Sequence, residues 1–263
     1  MAVQSLLLGL AGLQYAQCQM AVSTSVWSAS VKIYSVRDRV RPTIRSTHMT
    51  RHPENRNLRL HYEDIFHNLP VLASDDRPLV ANYLETMEQV MKQAMEDYSR
   101  VFVFRLDLRF PYDYDQDVSN NTIRRFLDSF TAKLEASEQR RRSSTRVQDN
   151  RVRYLWAREQ VSSDYAHYHL AILLNGHAYR RVGSYMAEHG LARAIKEAWE
   201  RALGLDKSAD NAGLVSYPRD SEFILTPDDE RTRHSCFSRL SYLCKVASKR
   251  YGDRSRNFGY STR

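Results

Sequence analysis

Cysteine is scarce. Three occur in 263 residues, Cys18, Cys236 and Cys244, with neither an even disulfide framework nor a Cys-x-x-Cys pair. That excludes a zinc finger, which needs paired thiolates, and fits a reducing compartment. Gly-x-Gly-x-x-Gly and Gly-x-x-x-x-Gly-Lys-Ser/Thr runs are both missing, which argues against a dinucleotide-binding or P-loop domain. No internal repeat is present. No apolar run is long enough to cross a bilayer. The N-terminal stretch MAVQSLLLGLAGLQYAQC has a short apolar segment like the core of a signal peptide, but no Lys or Arg precedes it. Met20 offers an alternative start. The expectation is a cytoplasmic protein with no membrane partner.

Acidic residues are also outnumbered. Lys and Arg total 39 against 31 Asp and Glu, a formal net charge of +8, and the sequence pI is near 9.4. A basic surface favours an anionic partner, of which nucleic acid is the common one. With 42% hydrophobic and 11% aromatic residues, the chain has material for one good core plus an arm.

Residues 1–57 read as a basic, poorly structured arm, Arg-rich from Val36 to Arg59. Residues 58–263 read as the folded domain. A helix is expected from about Pro78, with Asp75 and Asp76 as capping residues and Leu79, Tyr83, Met87, Val90, Met91 and Ala94 at helical spacing. VFVFRLDLRF (101–110) alternates with period two. Phe102, Phe104, Leu106, Leu108 and Phe110 fall on one face, and Arg105, Asp107 and Arg109 on the other. Ile123, Phe126, Leu127, Phe130 and Leu134 mark a second helix that runs out into QRRRSSTR. RVRYLWAREQ (151–160) and HYHLAILLN (167–175) form a hairpin signature. A third helix is expected over SYMAEHGLARAIKEAWERALGL (184–205), short strands at GLVSY and EFIL, and a last helix over about 231–249. This order predicts an α+β fold, a central antiparallel sheet flanked by helices.

Two places carry chemistry. On a strand, His167 and His169 share a face, about 7 Å apart along the backbone. Two imidazoles side by side bind a divalent ion if a third ligand approaches, and Glu159, eight residues back across the hairpin, is placed to supply it. Asp107 and Asp164 are rival carboxylates. Two nitrogens and one oxygen suit Mg²⁺, Mn²⁺ or another borderline divalent ion. The alternative is a pair of hydrogen-bonded histidines on a wet sheet face. His177 lies in a turn nearby in sequence, and Asn175 ends the strand. The second place is RLSYLCKVASK (239–249). On a helix, Phe237, Leu240, Cys244 and Ala247 form the apolar stripe. Tyr242 falls opposite it, with Lys245 and Lys249 on its own side. A phenol among cations can attack a phosphodiester, and an ordinary exposed tyrosine on a basic helix is the alternative. Tyr251 lies just beyond.

The His-x-His of His167, Tyr168 and His169, the Tyr-x-x-Lys of Tyr242 to Lys245 and the strand VFVFRLDLRFP resemble the HUH superfamily of nucleases, the rolling-circle replication initiators and conjugative relaxases. More narrowly, RLDLRFP, WAREQ, HYHLAILLNGHAY, RLSYLCK and RNFG resemble the replication proteins of filamentous phages (inoviruses) and their prophage relatives of the YagK/YfjJ C-terminal-domain type, over about residues 58–263. The resemblance implies an HUH-endonuclease core of RRM/ferredoxin-like form. It implies a site-specific single-strand DNA endonuclease and ligase that initiates rolling-circle replication through a 5′-phosphotyrosine. In that reading His167, His169 and Glu159 hold Mg²⁺ or Mn²⁺, Tyr242 is the nucleophile and Lys245 assists it. Arg105, Arg109 and Lys249 meet the DNA. The implied partners are single-stranded or supercoiled origin DNA, a host helicase and a host polymerase. A non-cleaving DNA-binding regulator on the same fold, or a metal phosphodiesterase using water, are the alternatives.

Overall fold

The computed structural model describes residues 49–112, 114, 120–160, 166–184, 189–206, 211, 213–252 and 255–262. Its elements in chain order are the strands β1 (Leu60–His61), β2 (Ile65–Phe66), β3 (Leu69–Pro70) and β4 (Leu79–Val80), helix α1 (Ala81–Asp97), strand β5 (Val101–Arg109), helix α2 (Asn121–Arg142), strands β6 (Arg153–Glu159) and β7 (His167–Asn175), helix α3 (Leu191–Leu203), strands β8 (Val215–Ser216) and β9 (Glu222–Leu225), helix α4 (Glu230–Ser241) and strand β10 (Phe258–Tyr260).

One antiparallel sheet organises these elements, in the order β10-β6-β7-β5, with β8 and β9 both pairing with β5 along its outer edge. The architecture is mixed α and β with a multi-stranded antiparallel sheet. The alternation of β5 is used on both sides. Phe102, Phe104, Leu106 and Leu108, with Tyr168, Leu170, Ile172 and Leu174 of β7, pack under α2 and α3 around a fully buried Trp199. On the opposite face Val101, Val103, Leu155, Ala157, Ala171 and Leu173 pack under α1 and α4. Arg105, Asp107 and Arg109 continue that second face beyond its apolar part. The polar side of β5 is therefore apolar for its first half, and its polar residues gather at one end of the sheet.

Three element boundaries differ from the sequence expectation. The first helix starts at Ala81, not near Pro78, because Leu79 and Val80 pair with His61 and Leu60. The Ala81 N–H then donates to the Arg59 carbonyl, and no side chain caps the helix. The third helix starts at Leu191, since Gly190 at φ +104° sets its entry. The last helix ends at Ser241. Tyr242–Cys244 tighten into a 3₁₀ turn, and Lys245 is extended, at ψ 145°. From there the chain joins other strands: Lys245 bridges to Leu79, Val246 N–H donates to the Pro78 carbonyl, and Gln160 N–H to that of Ser248. Ala247, expected on the helix stripe, is exposed.

Of the stretch read as an arm, residues 1–48 lie outside the described residues. Within 49–57, His52 is buried and its N–H donates to the Leu58 carbonyl. Among the described residues no helix is long and apolar enough to cross a membrane.

Strand β10 closes one edge, pairing Phe258, Gly259 and Tyr260 with Ala157, Trp156 and Leu155. The Trp156 ring lies directly over Gly259, so any Cβ there would run into it. Gly259→Ala is expected to cost about 1–3 kcal/mol in urea unfolding, the range for overpacking a filled site. Unchanged stability would contradict this packing.

Candidate active site

The hairpin register builds the centre of the site. Glu159 pairs with His167, and Ala157 with His169. On the other side of β7, Arg109 pairs with His167 and Asp107 with His169. Residues at these positions share one sheet face because side chains alternate with period two. The methyl group of Ala157 leaves room beside His169, so the Glu159 carboxylate reaches it. His169 Nε2 lies 3.1 Å from Glu159 Oε2 and 3.1 Å from His167 Nε2. His167 Nε2 is 3.9 Å from the same carboxylate oxygen.

These three residues can hold a metal ion, and their chemistry fits one. Two imidazole nitrogens 3.1 Å apart point their lone pairs at each other unless a proton or a cation lies between them. Adjacent ligands of an ion held octahedrally at about 2.1 Å lie about 3.0 Å apart, close to two of the three separations. The second oxygen of the buried Glu159, Oε1, has no hydrogen-bond partner. Asp107 Oδ1 accepts from His169 Nδ1 at 2.5 Å. That orients the ring and turns Nε2 toward Glu159 and His167, where an ion would take the place of the proton that Nε2 shares with Glu159; a carboxylate commonly orients a metal-binding histidine in this way.

The surroundings hold Glu159 ionised and His167 neutral. Burial alone would raise Glu159, but the hydrogen bond from His169 and the nearby histidine and lysine charges hold it well below the usual carboxylate range. Asp107 is lowered in the same way, its burial outweighed by the hydrogen bond and charge of His169 and by Arg105. His167 is brought down to about 4 by burial and then by the charge of His169.

The 3₁₀ turn after α4 delivers the tyrosine and lysine. In such a turn, residues three apart eclipse, and Lys245 Nζ donates to Tyr242 Oη at 2.7 Å. The same ammonium lies 2.8 Å from Glu159 Oε2. The Tyr242 ring stands edge-on to His169, with centroids 5.3 Å apart, and the Arg105 guanidinium lies 4.3 Å from its centroid.

His167, His169, Glu159, Tyr242 and Lys245 are thus brought together, and the expected DNA-facing residues divide. Arg109 is exposed at the strand end. Arg105 is buried. The Lys249 ammonium is fully buried, donates to the Lys245 carbonyl at 2.6 Å and faces Glu159 Oε1 at 4.0 Å. Burial brings Lys249 down to about 8, against the upward pull of Glu159. It is a cation beneath the carboxylate, not a surface group for DNA. Asp164 lies outside the described residues. His177 sits at the opposite end of the sheet, its ring 3.2 Å from Ser99 Oγ, and Asn175 shapes the turn there by accepting from the His177 N–H. Tyr251 packs on the His52 ring. The one partner the sequence pattern did not assign is Asp107, the acceptor for His169. The matched alternation of β5 and β7 was the available signal for Asp107.

Asp107→Asn is expected to leave the fold intact and to weaken Mn²⁺ binding about 10- to 100-fold in calorimetric titration, the usual cost of losing such an orienting group. Unchanged affinity would rule out that role. Stability of the metal-free protein gives a second test. The unfolded chain takes up the His167 proton near 6.5, and the folded chain only near 4. The unfolded state therefore binds more protons between those values, and stability falls as pH drops through that window. His167→Gln should flatten the fall from pH 6.5 to 4 in thermal melts. A profile unchanged by the substitution would contradict the assignment.

No solved structure gives a significant match. Two proteins of Escherichia coli (strain K12) are similar to this chain. "Uncharacterized protein YagK" is 31% identical over 194 residues, 69% of this chain and 93% of that protein. "Uncharacterized protein YfjJ" is 30% identical over 198 residues, 69% of this chain and 94% of that protein. The model for the YagK/YfjJ C-terminal domain matches residues 62–261, a span that holds every residue of the site. The chain belongs to the YagK/YfjJ C-terminal domain family.

Proposed function

We propose that this protein is a metal-dependent DNA nicking-joining enzyme of the HUH type, which starts rolling-circle replication of a filamentous phage or prophage element. The observation that carries the reading is one ammonium group. Lys245 Nζ bridges Tyr242 Oη at 2.7 Å and the Glu159 carboxylate at 2.8 Å, so a phenol nucleophile is tied to the candidate metal ligands. An unrelated exposed tyrosine would have no reason to share a lysine with the carboxylate beside the histidine pair.

In this reading His167, His169 and Glu159 hold Mg²⁺ or Mn²⁺. The ion, when bound, supplies Lewis-acid polarisation of a phosphate oxygen and neutralises developing charge. Tyr242 Oη attacks the phosphorus of a single-stranded DNA phosphodiester. The bond from phosphorus to the 3′ oxygen breaks, the phenol gives up its proton to water, and the leaving oxygen gains one. The 5′ phosphate stays on Tyr242, and a 3′ hydroxyl is left for a host polymerase. Attack by a 3′ hydroxyl on the phosphotyrosine reverses the step and joins the strand. Lys245 holds positive charge against the oxygen that attacks and, in the joining step, leaves. Asp107 keeps His169 in the required tautomer. Arg109, exposed at the end of β5, is placed for the DNA backbone. Unwinding of duplex falls to a separate host helicase, and the protein works in the cytoplasm.

The test is incubation with circular single-stranded DNA of a filamentous phage and Mn²⁺, followed by a denaturing gel. A protein–DNA adduct is expected with the wild type and none with Tyr242→Phe or His169→Ala. Lys245→Ala should slow its formation by about 10²-fold or more, the scale for loss of a charge-stabilising donor. Cutting that persists in Tyr242→Phe would mean water is the nucleophile. Binding without any adduct, across metals and origin-bearing DNAs, would mean a DNA-binding protein that does not cut.

A further inference from the structure

Two arginines beside Tyr242 carry buried donors that nothing accepts. Arg105 Nε and Arg239 Nε are both buried without a hydrogen-bond partner. Arg105 reaches the tyrosine from β5, its guanidinium 4.3 Å from the ring centroid. Arg239 lies three residues before Tyr242 on α4, where its Nη2 donates to the Arg219 carbonyl at 2.8 Å. The two charges are close enough to oppose each other.

The rest of the Arg105 fork is poorly matched as well. Its Nη2 lies 3.6 Å from Asp107 Oδ1, beyond a good hydrogen bond, and that oxygen already accepts from His169. The same Nη2 faces His169 Nδ1 at 3.3 Å, but a nitrogen that donates to Asp107 has no lone pair to offer. A guanidinium only 4% exposed is costly to leave unsatisfied. The charge balance points the same way. Arg105, Arg239, Lys245 and Lys249 stand against Asp107 and Glu159, four basic groups to two carboxylates. Guanidinium forks match the planar spacing of phosphate oxygens.

We propose that Arg105 and Arg239 form a phosphate-binding subsite beside Tyr242, taking the non-bridging oxygens of one phosphate group. That the phosphate belongs to a DNA strand rests on the proposed function; the anion site itself does not. Arg105 is thereby an inward ligand for a single phosphate rather than a surface contact along the backbone. Arg239 joins it through its place one helical turn ahead of the nucleophile.

The experiment uses the full chain in EDTA, so that no metal bridges the ligand. Inorganic phosphate and the dinucleotide dTpdT are titrated separately, followed by calorimetry and by the NMR signals of the arginine Nε–H groups. Both ligands are expected to saturate, with two Nε–H signals moving together. Arg239→Gln should weaken both about tenfold or more, the scale of one charge-assisted hydrogen bond. Arg105→Gln should do the same, and if that buried substitution unfolds the protein, Arg239→Gln decides alone. Phosphate affinity unchanged in Arg239→Gln, or no saturable binding by the wild type, would overturn the subsite. The nuclease reading fails separately. Phosphate binding at the pair with no tyrosine adduct on any DNA would leave the subsite standing and remove the nuclease. Adduct formation at wild-type rate in Arg239→Gln, with unchanged phosphate affinity, would do the reverse.

Discussion

A carboxylate taken out of water must be matched by positive charge or by hydrogen bonds, and the site is built around one such group. Glu159 is 1% exposed. Lys245 reaches Oε2 at 2.8 Å, His169 Nε2 at 3.1 Å, and Lys249 approaches Oε1 at 4.0 Å. Removing a partner from such a cluster leaves an uncompensated buried charge, which is why isolated buried ions are rare. Much of the local chain path follows from that demand. Lys249 lies inside the protein instead of on a helix surface. The chain leaves α4 at Tyr242, runs beside β4 and lays Ser248 against Gln160, which brings both lysines under the end of β6.

The sheet makes the arrangement rigid. One face is apolar along its length and packs under α2 and α3. The other is apolar only under α1 and α4, and its polar end carries Arg105, Asp107, His167, His169 and Glu159. Because those residues sit on neighbouring rungs of three paired strands, their spacing is set by backbone geometry and not by flexible loops. A one-residue slip of β6 against β7 would turn Glu159 to the opposite face, and the two-layer packing of the sheet resists that slip. Tyr242 is added from α4, so the proposed chemistry depends on how that helix docks.

Short-range pattern carried much of this in the sequence. The alternation of 101–110 and the hairpin spacing between Glu159 and His167 placed three strands and the histidine pair correctly. The stripe Ile123, Phe126, Leu127, Phe130 and Leu134 marked α2, and all five residues are buried. What could not be read depends on partners distant in the chain. RLSYLCKVASK contains no glycine or proline to stop a helix, and the chain is drawn out of it by partners far off in sequence: Leu79 for Lys245, Pro78 for Val246 and Gln160 for Ser248. Lys249 and Arg105 look like surface cations because their partners lie far off or belong to another element. Leu79 and Val80 looked helical because their strand partners, Leu60 and His61, form a segment too short to signal itself. The edge strand β10 has three residues and no alternation long enough to notice.

The proposed chemistry requires that His167, His169 and Glu159 be the ligands of one ion beside Tyr242. Anomalous diffraction from crystals grown with Mn²⁺ measures that directly. The expected result is a single strong peak about 2.0–2.3 Å from Nε2 of both histidines and from a Glu159 oxygen, with Tyr242 Oη still held by Lys245. A peak elsewhere, or histidines joined to each other and to Glu159 with no ion at saturating Mn²⁺, would contradict it and leave the cluster a buried hydrogen-bonded network.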